Sequence, residues 1–148
     1  MNVMIDTNII LDDILNRVQN AGDAKKISQL VTDKYINGYL TANCITDIFY
    51  IISKNLNEDS ARITIRNLLL SFEVVSVEGH DCQRAIDSLM RDFEDALVVV
   101  CAEKAGLNYI LTNDKKFLDE VDLVVPAISS AEFLSQFESM GGHPFTGN

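Results

Sequence analysis

Cations are scarce in this chain: 12 lysines and arginines stand against 22 aspartates and glutamates, for a formal net charge of -10 over 148 residues. That balance argues against a protein that holds nucleic acid by bulk electrostatics, which needs a basic surface. It leaves open an enzyme that meets nucleic acid through a metal ion and a few local cations, and an acidic surface also suits a basic partner. Cysteines number three (Cys44, Cys82 and Cys101), too few and too far apart for a disulfide framework. Cys44 and Cys101 have apolar neighbours and read as small buried hydrophobes on helices. The two histidines, His80 and His143, have no cysteine or carboxylate partners at zinc spacing. His80 reads as part of a turn leading into a helix, and His143 as part of the tail. There is no glycine-rich phosphate loop and no Gly-x-Ser-x-Gly elbow. No apolar run reaches membrane-spanning length, and the longest, residues 96–102, is far too short. The chain opens on Asn2-Val3-Met4-Ile5-Asp6 without the pattern of a signal peptide. A cytoplasmic, reducing setting away from the membrane is therefore expected.

What the chain does have is apolar residues, 47% of the total, in short runs that alternate with longer helical patterns. This is enough to bury the core of one domain. Strands are predicted at residues 3–5, 39–42, 74–77, 109–111 and 123–125, the last closed by Pro126. Helices are predicted at 9–18, from Asp23 to a stop at Gly38, at 43–53, 58–70, 81–90 and 93–105, and from Ser129 or Ser130 onward. The helix at 93–105 is apolar on several faces, so it should be buried and end at Gly106. Strands separated by helices require crossover connections. These give a mostly parallel sheet with helices on both faces, an α/β/α sandwich in three layers. The domain is placed at 1–138, and the turn-rich segment 139–148 is expected to be a mobile tail.

Acids fall where the predicted strands end. Asp6 follows Val3-Met4-Ile5 directly, and Asp114 follows Leu111-Thr112-Asn113. Asp92 and Asp95 open the apolar helix. In open α/β sheets the carboxyl ends of the strands form the ligand-binding edge. Each residue also has a simpler reading: Asp6 or Thr7 as a helix cap, Asp92 as a cap on the helix dipole, Thr112-Asn113-Asp114 as a turn, Lys115 and Lys116 as solvated lysines. Asp47 lies among Ile45, Ile48 and Phe49, and the residues three and four positions away include no cation. It either faces solvent or points inward as a ligand. Taken together, Asp6, Asp95 and Asp114 should meet at one edge, with Asp47 added if its helix faces inward. At about 5 Å and an effective dielectric near 20, each like-charged pair costs roughly 3 kcal/mol, so such a group calls for a cation. An all-oxygen set suits magnesium, which keeps several waters and takes one or two carboxylates directly. A site of that kind activates water and clamps a phosphoryl oxygen, which points to phosphodiester hydrolysis.

These segments resemble the PIN-domain family of nucleases. The resemblance lies in Met4-Ile5-Asp6-Thr7-Asn8-Ile9-Ile10-Leu11-Asp12, Ile45-Thr46-Asp47-Ile48, Asp92-Phe93-Glu94-Asp95-Ala96 and Leu111-Thr112-Asn113-Asp114-Lys115-Lys116-Phe117. Val125-Pro126-Ala127-Ile128 and Glu132-Phe133-Leu134 resemble the family's end, so the likeness covers almost the whole chain to about Phe137. It implies a PIN-like sandwich and Mg2+- or Mn2+-dependent cleavage of RNA. Asp6, Asp47, Asp95 and Asp114 match the acidic quartet that holds the metal and carries catalysis. Asp92 matches an accessory acid, Thr112 the nearby hydroxyl residue and Asn8 the polar residue after the first acid. One departure stands out: position 47 is commonly Glu in the family and is the shorter Asp here. Asn8, Thr112 and Asn113 are expected to orient ligands or substrate, and Lys115 and Lys116 to meet the RNA backbone. Many small members resemble VapC toxins, typically homodimers silenced by an antitoxin protein, so a homodimer and an antitoxin partner are expected. Two rivals share the architecture. One is a PIN-like interaction module with a weak or silent site. The other is a phosphoacceptor receiver, disfavoured because Val77-Glu78-Gly79 supplies no acceptor Asp at a central strand end.

Overall fold

Successive side chains of a strand point to opposite faces of its sheet, and β1 (Asn2–Ile5) uses both. Val3 and Ile5 enter one apolar core, while Met4 enters another on the far side. The computed structural model describes residues 1–17 and 19–142. Val18 and the tail from His143 onward therefore lie outside the described residues. The remaining elements are α1 (Thr7–Ile14), α2 (Ala21–Thr32), β2 (Asn37–Thr41), α3 (Ala42–Asn55), α4 (Glu58–Ser71), β3 (Glu73–Val75), α5 (Gly79–Ile86), α6 (Phe93–Lys104), β4 (Tyr109–Leu111), α7 (Lys115–Leu118), β5 (Ala127–Ile128) and α8 (Ser130–Ser139).

The five strands form one sheet in the order β3-β2-β1-β4-β5, every neighbouring pair parallel. Leu40, Leu111 and Ile128 join Val3 and Ile5 on the face covered by α1, α2, α3, α4 and α8. Ile110 and Val75 join Met4 on the other face, against α5, α6 and α7. The result is the expected three-layer α/β/α sandwich. The strand order turns outward on either side of β1, so the crevice between the β1 and β4 ends is a topological switch point. The parallel ladder continues past the strands there, with the Asp6 N–H donating to the Leu111 carbonyl at 2.9 Å.

Several element boundaries differ from expectation for local reasons. The second helix ends at Thr32, and Lys34 turns the chain with a positive φ of 64°. Gly38 is not the helix stop but a buried residue of β2. A Cβ there would lie 2.7 Å from Val31 Cγ2 and 2.8 Å from the Phe72 ring, both core groups with no room to yield. The last strand is Ala127–Ile128, not residues 123–125. Pro126 precedes it and contributes only its carbonyl, which accepts from the Ile110 N–H at 2.9 Å. Val125 is buried and Val124 exposed, so that apolar run packs without pairing. Other expectations held: α6 ends with Gly106 at φ 67°, and the Ser129 hydroxyl accepts from the Glu132 N–H at the start of α8. At the end of the described residues α8 runs to Ser139, and the Gly142 N–H donates to the Phe137 carbonyl.

Gly38→Ala should therefore overpack the junction of β2, α2 and α4. A loss of about 1–3 kcal/mol in urea or thermal unfolding is expected, with the far edge of the sheet unaffected.

Candidate active site

At the carboxyl edge a cleft of about 370 Å³ opens between the ends of β1, β2 and β4 and the first turns of α3 and α6. Its walls include six carboxylates: Asp6, Asp47, Asp92, Glu94, Asp95 and Asp114. Five of them are acids that the sequence marked. Asp47 faces the cleft because α3 buries Cys44, Ile48 and Ile52 as its core stripe, which turns the 43–47–50 face toward the opening.

Thr112 ties the two strand ends together. It is fully buried at the end of β4. Its hydroxyl donates to Asp6 Oδ2 at 2.8 Å and accepts from the Asp114 N–H at 3.1 Å. Asp6 stands at the N-cap position of α1 but makes no capping bond with its side chain. One carboxylate oxygen, Oδ2, is taken by Thr112. Desolvation raises the Asp6 pKa above the ordinary aspartate range, Thr112 and the Asn8 and Thr7 N–H groups oppose the shift, and the Asp114 charge adds to it. Asp95 is driven further. Desolvation, then the charges of Asp92, Asp6, Asp114 and Glu94, push its carboxyl up to about 7.

Glu94 was not singled out in the sequence. It lines the cleft with its carboxyl close to that of Asp47. Desolvation first, then the neighbouring Asp47 carboxyl and the charges of Asp92 and Asp6, raise the Glu94 pKa. The available signal was its place in the first turn of α6, between Asp92 and Asp95.

The other expected residues are distributed as follows. Asp92 Oδ1 accepts from the Asp95 N–H at 3.0 Å, so it caps α6 and also lines the cleft. Asn8 is exposed at the rim. Asp114 Oδ1 accepts from the Lys116 N–H at 3.0 Å, which caps α7. Lys116 joins Arg91, Asp92, Asp95 and Asp114 around an adjoining hollow. Lys115 is exposed and lines neither space. Asn113 is not in the cleft. Its amide donates to Ser130 Oγ at 3.0 Å and accepts from the Ser130 N–H at 3.0 Å, which fastens the β4 loop to α8. The cleft is also lined by the uncharged Thr7, Thr41, Asn43, Cys44 and Tyr50, and Thr7 Oγ1 is hydrogen-bonded to Cys44 Sγ.

Among the described residues no group of three or more His, Cys, Asp or Glu side chains closes tightly enough to hold an ion unaided. The donor set still fits a hard divalent cation. Every charged group in it is a carboxylate, and desolvation and then the neighbouring acids hold Asp95 and Glu94 toward their neutral forms. Magnesium is commonly held by one or two direct carboxylates and several waters, which a cleft of this size admits.

A family model described as "PIN domain" matches residues 2–116. The chain is 27% identical over 144 residues to the ribonuclease VapC1 of Aquifex aeolicus (strain VF5), covering 93% of this chain and 96% of the relative. Among solved structures, VapBC2 from Rickettsia felis bound to a DNA fragment from its promoter superposes with a TM-score of 0.64 at 17% identity, over 87% of this chain and 98% of that one. The sarcin-ricin-loop-cleaving toxin VapC20 of Mycobacterium tuberculosis superposes at 0.62 and 16% identity, over 78% and 92% of the two chains. PAE2754 from Pyrobaculum aerophilum gives 0.63 at 16%, over 94% and 96%.

The raised Asp95 pKa fixes the sign of a pH effect. Below about pH 4 the carboxyl is neutral in both the folded and the unfolded chain; as pH rises toward 7 the unfolded chain ionises first, so metal-free stability falls across that window and stays lowered above it. In EDTA, Asp95→Asn should equal the parent in melting temperature near about pH 4 and exceed it by roughly 5 °C near pH 7.5. A gap that narrows with rising pH would contradict this assignment.

Proposed function

The chain belongs to the PIN-domain family, and from that premise we propose that it is a divalent-metal-dependent endoribonuclease, the toxin of a toxin–antitoxin pair. The observation that carries the proposal is the gathering of Asp6, Asp47, Asp95 and Asp114 around one cleft at the switch point of the sheet. Likeness to ribonuclease VapC1 over nearly the full length of both chains supports the substrate class. The structural neighbours include VapBC complexes, which supports an antitoxin partner. We place the protein in the cytoplasm as a homodimer. The acidic surface suits a basic antitoxin segment, and no helix of the described residues is long and apolar enough to cross a membrane.

In this reading Asp6, Asp95 and Asp114 hold Mg2+ or Mn2+ directly or through water, with Asp92 as an accessory. When bound, the cation lowers the pKa of a coordinated water, clamps a phosphoryl oxygen and stabilises the leaving oxygen. Asp47 accepts a hydrogen bond from the attacking water and aligns it. Position 47 carries the shorter Asp, and the longer Glu94 beside it extends the reach of that wall. Thr112 keeps Asp6 and Asp114 in register, Asn8 orients groups at the rim, and Lys115 and Lys116 meet the RNA backbone where it leaves the cleft. Six carboxylates repel a phosphate, so RNA should enter productively only after the cation has offset their charge.

Purified protein incubated with structured RNA should cut it in Mn2+ or Mg2+ and not in EDTA, and Asp6→Asn should abolish the cutting. A folded protein that cleaves no RNA across varied substrates and both metals would favour the silent interaction module instead. Thr112→Val removes only the hydroxyl that spans Asp6 and Asp114. It should lower metal affinity or cleavage roughly 10- to 100-fold, read by metal titration of melting temperature as well as by turnover.

A further inference from the structure

Two uncharged residues that line the cleft hold polar atoms with no hydrogen-bond partner. Thr41 is only 1% exposed, lines the cleft, and has no partner for its hydroxyl; the first turn of α3 gains no side-chain cap from it. Asn43 also lines the cleft, and its buried Oδ1 is likewise unpartnered. Orphaned buried polar atoms are uncommon in folded proteins and call for a reason.

The cleft lining continues along α3. Asn43, Asp47, Tyr50 and Lys54 follow at steps of four, three and four, so they form one stripe up the helix. The first three line the cleft. Tyr50 remains 63% exposed at its edge, and Lys54 Nζ sits 5.9 Å from the centre of its ring. From Asp47 to Lys54 is about 10 Å along the helix axis. An acceptor, a carboxylate, an aromatic face and a cation thus lead outward in line from the acids.

We infer that this stripe is a nucleotide subsite: it takes an unpaired RNA nucleotide next to the phosphate being cut. The inference rests on the ribonuclease reading above and names how the substrate is held. The Tyr50 ring stacks the base, which any base permits because each has a π face. Lys54 meets the next phosphate. Asn43 Oδ1 accepts from the ribose 2′-hydroxyl, and the Thr41 hydroxyl, donor and acceptor both, completes the pair. The 2′-hydroxyl is the group by which a protein tells RNA from DNA. The subsite therefore reads sugar and base plane but not base identity. It also requires a base free of its stack, so duplex RNA is excluded.

The test uses full-length Asp6→Asn protein, which should not cut, with Mg2+ and a fluorescein-labelled single-stranded octanucleotide followed by anisotropy. RNA should bind more tightly than DNA of the same sequence and than duplex RNA. Adding Tyr50→Ala should weaken RNA binding about tenfold, while Tyr50→Phe should leave it nearly unchanged. Lys54→Gln should flatten the plot of log affinity against log salt by about 0.7. Asn43→Ala should narrow the RNA-to-DNA ratio. Tyr50 and Lys54 are exposed, so melting temperatures should hold in the Tyr50 and Lys54 variants. Unchanged RNA affinity in Tyr50→Ala, with the wild-type protein still cutting RNA, overturns the subsite and leaves the ribonuclease reading standing. Loss of self-association in Tyr50→Ala with RNA affinity intact likewise overturns it, and assigns Tyr50 to a protein contact. A wild-type protein that cuts no RNA overturns both.

Discussion

Like charges held together at the mouth of a parallel sheet are the constraint around which this molecule is arranged. Six carboxylates share the walls of one cleft, and the most heavily loaded, Asp95, is pushed up to about 7 by desolvation and its neighbours. Left to themselves such groups would spread toward solvent. They are kept in place by bonds that do not depend on any cation. Thr112 links Asp6 to the Asp114 backbone, and Asp92 and Asp114 cap the helices that follow them. The scaffold thus fixes where the repulsion sits before anything arrives to relieve it, which is the meaning of preorganisation at a charged site.

The alternation of β1 shows how little chain is needed to aim such a site. Met4 anchors one face, Val3 and Ile5 the other, and the next residue is an acid that emerges at the edge. The same arrangement at β4 delivers Thr112, and at β2 it delivers Thr41. Three central strands ending in register place three polar residues side by side. No loop longer than a few residues takes part, so the geometry inherits the stiffness of the sheet.

Those strand ends are also why so much was legible beforehand. An apolar triplet followed by Asp is readable without coordinates, and β1, β4, α6 and the acids beside them lie where the sequence placed them. What failed to read were features decided by tertiary contact. Gly38 looked like a helix stop because glycine often is one, but it is required by the Val31 and Phe72 side chains that crowd β2. Residues 123–125 have the composition of a strand, yet the pairing partner of β4 begins only after Pro126. Asn113 sits between two site residues in sequence, and its side chain turns away to Ser130. Glu94 was hidden for the opposite reason: an acid in a first helical turn is usually explained by the dipole alone, and only the convergence of the α3 and α6 first turns at the sheet edge brings it beside Asp47.

That meeting bears on the one departure from the family pattern. With Asp in place of the commoner Glu at position 47, the carboxylate on α3 ends one methylene short. Glu94, at the start of α6 in the other helical layer, carries the extra methylene and brings its carboxyl close to Asp47 in the cleft wall. A cation arriving in the cleft would therefore meet a wall whose reach depends on both residues, one from each layer. The helix that presents Asp47 also carries Asn43, Tyr50 and Lys54, so one element sets both the charge of that wall and the stripe beside it.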